Sequence, residues 1–204
     1  MKNNSEKPNL RKAQAEERRR QILETTLAVF AAKGFDGTSI KDIAQAAGIS
    51  QGLMYHYFAG KEDLLRATVE YHSFIPQLCQ ILNNASQLSI EKVFENIANG
   101  FMDLLYKKKM LVSLLIREIE ANSEVKKAWS NLCQEGVSLI QKYLEAHIAS
   151  GELRPHNTEV TARNLFAIVF MYHFTGDVFQ SSPVTRSQFI EATLSNLMRG
   201  IENR

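Results

Sequence analysis

The sequence predicts an all-α fold in two parts, a short N-terminal domain built on a helix-turn-helix and a larger C-terminal helical bundle. Three observations carry that expectation. Apolar residues recur three and four positions apart along most of the chain, as in helices with one buried face. Nothing alternates with period two over a useful length, so no sheet is expected. The stretch TSIKDIAQAAGISQGLMYHYFAGK, Thr38 to Lys61, has apolar residues at Ile40, Ile43, Ala47, Ile49, Met54 and Tyr57 and breaks its helical spacing once, at Gly48. Two short helices joined by a tight turn give that pattern.

Taken in order, residues 1–15 are polar, contain Pro8 and lack periodicity, and are expected to form a flexible basic arm. An amphipathic helix follows, with Leu23, Leu27 and Phe30 on its stripe and Lys33-Gly34 at its end. Within the helix-turn-helix, Gly48 stands where the chain reverses and positive φ is favoured. Ala44 is small where a second helix must cross closely, and Ser50 is a good N-cap for that helix. Lys61-Glu62-Asp63 opens a fourth helix with Leu64, Thr68, Tyr71 and Ile75 inward, bent or ended by Pro76.

Beyond Pro76 the pattern stays helical. Ser89 caps a helix with Ile90, Phe94, Ile97, Phe101 and Leu105 on one face, and Met110 to Ala121 forms another. Asn122 or Ser123 caps a long helix with Trp129, Leu132, Val137, Ile140 and Leu144 inward, ending at Ser150-Gly151 before Pro155. The next runs from Thr158 to about Phe179. The SSPVT stretch with Pro183 separates it from a last helix carrying Phe189, Ile190, Thr193, Leu197 and Ile201. The expected divisions are an arm over 1–15, a helix-turn-helix domain over 16–61 and a helical body over 62–204.

Charge supports a division of labour. Residues 1–61 hold ten Lys/Arg against six Asp/Glu, whereas 62–204 hold fourteen against sixteen. A basic front on a slightly acidic body suits a module that faces polyphosphate. A helix-turn-helix usually lays its second helix in the major groove, and such proteins commonly read two-fold operators as dimers. In LFAIVFMYHF, Leu165 to Phe174, apolar residues cover nearly the whole circumference, so this helix is expected to be buried inside a bundle or between subunits. A homodimer through residues 158–201 is the expectation.

From about Arg18 to Leu65 the sequence resembles the DNA-binding domain of TetR-family transcriptional regulators. The resemblance rests on AAKGFDGTS, IAQAAGIS, QGLMYHYF and GKEDLL in this order and spacing, about a quarter of the chain. It implies contacts with a double-stranded DNA operator. Ser50 and the free N–H groups of the second helix are placed to receive a phosphate. Gln51 suits base edges, Gly52 a close backbone approach, and Leu53 a thymine methyl. Tyr55, His56 and Tyr57 suit phosphate and sugar contacts, and Thr38, Ser39 and Lys41 the opposite backbone. Lys61 is similar in position to the family's phosphate-contacting lysine. Arg18, Arg19 and Arg20 are further candidates for phosphate. The sequence departs from many relatives at Leu53, where Thr or Ser is common, and at Ala59-Gly60.

The resemblance also implies an apolar pocket for a small apolar or amphipathic ligand in the helical body. Candidate lining residues are Phe94, Phe101, Leu105, Ile116, Trp129, Cys133, Phe166, Phe170 and His173, with Arg117 or Glu118 as further polar partners. It implies a ligand-responsive repressor released from a palindromic operator. The alternative is a DNA-bound adaptor whose body binds another protein. No phosphate-binding glycine loop, HExxH, GxSxG or paired-cysteine metal spacing occurs, so neither an enzyme, a cofactor nor a metal is expected. Cys79 and Cys133 are expected to be reduced core thiols. The longest apolar run, Leu165 to Tyr172, is far short of the ~20 residues of a membrane span. With no N-terminal apolar leader, a cytoplasmic location is expected.

Overall fold

The computed structural model describes residues 6–176 and 184–202, and every regular element among them is helical. The helices are α1 (Glu6–Lys33), α2 (Ile40–Ala46), α3 (Gln51–Tyr57), α4 (Lys61–His72), α5 (Ile75–Asn83), α6 (Ile90–Lys107), α7 (Lys109–Glu118), α8 (Ser123–Ala149), α9 (Thr158–Gly176) and α10 (Arg186–Ile201). The first compact unit comprises residues 1–72 together with 110–130, and the second comprises 73–109 and 131–204. The packing therefore divides after His72, beyond the expected boundary at 61, and the head recruits a segment from the middle of the chain.

In the first unit, α1 buries Ile22, Leu23, Thr26, Leu27 and Phe30, the anticipated stripe with Ile22 and Thr26 added. The arm expected over 1–15 is corrected from Glu6 onward, where α1 already begins. Pro8 falls in the first turn, where a missing N–H breaks no helical hydrogen bond. Residues 1–5 lie outside the described residues. Ile40, Ile43 and Ala44 of α2 and Met54 of α3 point into the core. Between them Gly48 has φ +65°, and Ile49 donates its N–H to the Ala44 carbonyl at 3.0 Å, closing the turn. On α4, Leu64, Leu65, Ala67, Thr68 and Val69 are buried, but Tyr71, expected inward, is exposed. Ile75 belongs to α5, because α4 stops at His72 and Pro76 starts the next helix in its first turn.

In the second unit, α6 packs against α5, α9 and α10. It buries Val93, Phe94, Ile97, Ala98, Met102 and Leu105. A Cβ on Gly100 would lie 3.0 Å from the Phe74 ring, so the glycine permits the close α5–α6 approach. Phe74, Phe101 and Phe166 form a ring cluster, with centroids 5.0 Å apart for Phe101–Phe166 and 5.6 Å for Phe74–Phe101. On the part of α8 in this unit the inward residues are Val137, Ile140 and Leu144, and Leu132 is half-buried; Val125 (buried) and Trp129 (half-buried), nearer its start, belong to the first unit. The last helix buries Ile190, Leu194, Met198 and Ile201, while Phe189, Thr193 and Leu197 are half-buried. An antiparallel bridge joins Leu153 to Glu202, and Arg154 donates its N–H to the Ile201 carbonyl at 2.9 Å. The burial expected all around α9 holds on one face only, at Thr161, Ala162, Leu165 and Val169. The expected end near Phe179 and the break at Pro183 lie outside the described residues.

A Cβ at Gly48 would meet nothing within 4 Å, so replacement there costs backbone strain alone. Gly48→Ala is expected to destabilise the protein by about 1–2 kcal/mol and Gly48→Asn by less, as read from urea unfolding midpoints.

Candidate nucleic-acid interface

The second helix of the helix-turn-helix, α3, has two unlike faces. Met54 and the following Phe58 are buried, while Gln51, Gly52, Leu53, Tyr55 and His56 are exposed, Tyr55 at 53%. Tyr57 is half-buried, with its ring centroid 5.5 Å from that of His56 and 6.4 Å from that of Phe58. Ser50 caps the helix by accepting the Leu53 N–H at 3.1 Å. The first N–H groups of α3 remain at an exposed positive helix end, where an anion is favoured.

Around α3 the turns are held by charge and by backbone polar groups. Ser39 caps α2 in a reciprocal capping box with Asp42. The Ser39 hydroxyl, then Lys33 at 2.9 Å, hold the Asp42 carboxyl well below the usual carboxylate range. Asp63 accepts the Ala59 N–H at 2.9 Å, which fixes the α3–α4 turn and lowers its carboxyl in the same way. Lys61 donates to the Phe35 carbonyl at 3.0 Å and lies 4.3 Å from the Phe35 ring centroid. Two of the three ammonium protons remain for other acceptors. Arg19 lies over the Phe58 ring at 5.4 Å, while Arg20 pairs with Glu17 and Glu24.

The structure thus gathers Ser39, Lys41, Ser50, Gln51, Gly52, Leu53, Tyr55, His56, Tyr57 and Lys61 on the α2–α4 segment of the first unit. Thr38 leaves the candidate set. It is 2% exposed, and its hydroxyl donates to the Gly34 carbonyl at 2.7 Å, a structural task inside the turn. Arg117 is also reassigned from a pocket partner. Its guanidinium donates to the Phe30 and Ala31 carbonyls at the end of α1, and its Nε bonds to Glu118. Asn122 bonds to Asp36. These long-range partners have no local sequence signal, although Asn122 as a helix cap was readable.

Residues 22–68 match the family model described as bacterial regulatory proteins, tetR family, and residues 92–198 match that of the AefR-like transcriptional repressor C-terminal domain. The chain belongs to the TetR family. It is a DNA-binding transcriptional regulator of the helix-turn-helix type. Among its relatives, the HTH-type transcriptional regulator PksA of Bacillus subtilis (strain 168) is 31% identical over 172 residues, covering 76% of each chain. Two solved structures share the fold. Salmonella enterica GusR has a TM-score of 0.72 at 22% identity, over 90% of this chain and 94% of that one. AibR, in complex with isovaleryl coenzyme A and operator DNA, has a TM-score of 0.59 at 21% identity, over 88% and 97%.

The residues expected to line the TetR-type pocket are distributed as follows. Phe94 and Leu105 are fully buried, and Phe101 and Phe166 lie in the ring cluster with Phe74. Phe170 stacks on Phe174, and His173 meets Tyr106 edge-on at 4.5 Å. Cys133 is exposed rather than core, Cys79 is half-buried, and both are free thiols. Ile116, exposed, and Trp129, half-buried, belong to the first unit. A cavity of about 330 Å³ lies between α6 and α10, but its walls include Glu91, Lys92, Glu95 and Glu191 and none of the expected pocket residues. Among the described residues no cluster of three metal-ligating side chains occurs, and no helix is long and apolar enough to cross a membrane.

Because the folded Asp42 carboxyl titrates below its unfolded value, its stabilising contribution is present above the ordinary carboxylate pKa. That contribution is lost as pH falls through the lowered folded value. Side-chain carboxyl NMR is expected to show Asp42 still ionised below the ordinary carboxylate range, and Ser39→Ala to move its midpoint upward.

Proposed function

We propose that the protein is a dimeric repressor that binds a palindromic operator through two α3 helices and is released by a small apolar or amphipathic effector. The observation that carries the reading is the outward face of α9. Val160, Ile168, Met171 and Phe174 are exposed on the single chain, Met171 at 55% and Phe174 at 53%, at spacings that share one helix face. A second copy related by a two-fold axis is the self-complementary occupant of such a stripe, with α9 and α10 of residues 158–201 forming the contact. Two reading helices then fall in successive major grooves about 34–36 Å apart.

The match to a repressor C-terminal domain supports repression, and the complex of AibR with isovaleryl coenzyme A and operator DNA supports a small-molecule signal. The Phe74–Phe101–Phe166 cluster is the proposed apolar floor for the effector. By linkage, an effector that weakens operator binding is itself bound more weakly on DNA by the same factor.

The test combines light scattering with operator binding, using a duplex selected by the protein from a random pool. Wild type is expected to run as a dimer. Met171→Glu, which sets like charges across the two-fold, is expected to run as a monomer with operator affinity reduced by about tenfold or more. A monomeric wild type, or a Met171→Glu protein that stays dimeric at full affinity, would refute the proposed interface.

A further inference from the structure

Residues 117–122 meet the turn between α1 and α2 through polar contacts that no helix packing rule requires. The guanidinium of Arg117 forks over the end of α1. Its Nη2 donates to the Phe30 carbonyl at 3.2 Å and its Nη1 to the Ala31 carbonyl at 3.1 Å. Both carbonyls lie in the last turn of α1; that of Phe30 also accepts the Gly34 N–H at 2.9 Å, so Arg117 joins an existing backbone bond there. A cation there also meets the negative end of the helix dipole. Glu118 Oε1 holds the same guanidinium at Nε, 3.0 Å away, and lies 3.0 Å from where a Cβ on Gly34 would stand.

Asn122 completes the contact. It is 8% exposed and uses both ends of its amide. Its Oδ1 accepts the N–H groups of Glu124 and Val125, capping α8, while its Nδ2 donates to Asp36 Oδ1 at 3.1 Å. One side chain therefore joins the start of α8 to the loop that leads into α2. The neighbouring positions of that loop are held by Lys61 on Phe35 and by Thr38 on Gly34, so it has few other ways to move. Beyond Ser130, α8 continues into residues of the second unit without a break.

We infer that Asn122 and Arg117 are positioning residues for DNA reading. They fix the α1–α2 turn to the α7–α8 elbow and so set the stance of α2 and α3. A reorientation of the start of α8 is passed to the reading helix through the Asn122–Asp36 bond. The inference rests on α3 being the element that enters DNA.

Operator affinity of the full chain, measured by fluorescence anisotropy with a duplex selected from a random pool, tests it. Asn122→Asp keeps the acceptor that caps α8 but sets two carboxylates face to face, and is expected to weaken binding about fivefold or more. Asp36→Ala breaks the same bond without touching α8 and is expected to weaken binding too. The swapped pair, Asn122→Asp with Asp36→Asn, restores donor and acceptor in reverse and is expected to recover wild-type affinity. A role confined to capping α8 would leave Asp36→Ala at wild-type affinity, and that result overturns the inference even where Asn122→Asp fails to fold. A swapped pair that melts like wild type yet does not recover affinity overturns it as well. Tyr55→Ala is measured in parallel. If it weakens binding while Asp36→Ala does not, the reading of α3 stands and the elbow fails alone. If Tyr55→Ala has no effect, α3 is not the reader and both fall.

Discussion

A helix of seven residues is unstable in water by itself, because nucleation costs more than so few hydrogen bonds return. The helix α3, proposed to read DNA, is such a helix, Gln51 to Tyr57. It exists because Met54 and Phe58 are anchored in the core of the first unit at 0% and 2% exposure. Burying side chains of this size contributes about 1.5–3 kcal/mol each, whereas the Ser50 cap is worth about 1 kcal/mol. The anchors therefore decide the matter. The opposite face is released from any folding duty, and Gln51, Gly52, Tyr55 and His56 stand there open to a partner.

That arrangement makes α3 dependent on the framework beneath it. The positive φ of Gly48 sets the angle from α2, the Ala59–Asp63 bond sets the exit into α4, and Lys61 ties α4 back to Phe35. Few of these contacts touch the proposed DNA surface, yet each controls where it points. Arg117 and Asn122 extend the same control to a segment distant in sequence, which explains why residues 110–130 pack with the head rather than with the body.

The head was largely legible because its determinants are local. Gly48, Ser50, Met54 and the Lys33-Gly34 stop each act within a few residues, and each stands in its expected role. Thr38 was misread because a buried hydroxyl bonded to Gly34 and an exposed one awaiting phosphate look alike in sequence. Tyr71 failed for a related reason, since helical spacing marks a face without saying how far burial extends around it. The arm was misread because polar composition hides a helix whose residues 12–21 are all exposed. The elbow was invisible, since Arg117 and Phe30 are joined only by tertiary folding. The apolar girth of α9 was read correctly as composition, but one face of it is open in the single chain, as a face kept for another surface would be.

Hydrogen–deuterium exchange of the full chain, with and without the duplex it selects, tests the central claim most directly. The amides at the start of α3 have no helical partner, so exchange there is fast until a phosphate or base covers them. The account predicts that DNA slows exchange most at Gln51–Tyr57, with a smaller effect around Ser39–Lys41. Exchange at Gln51–Tyr57 unaltered by saturating duplex, with the slowing confined to other segments, would contradict it.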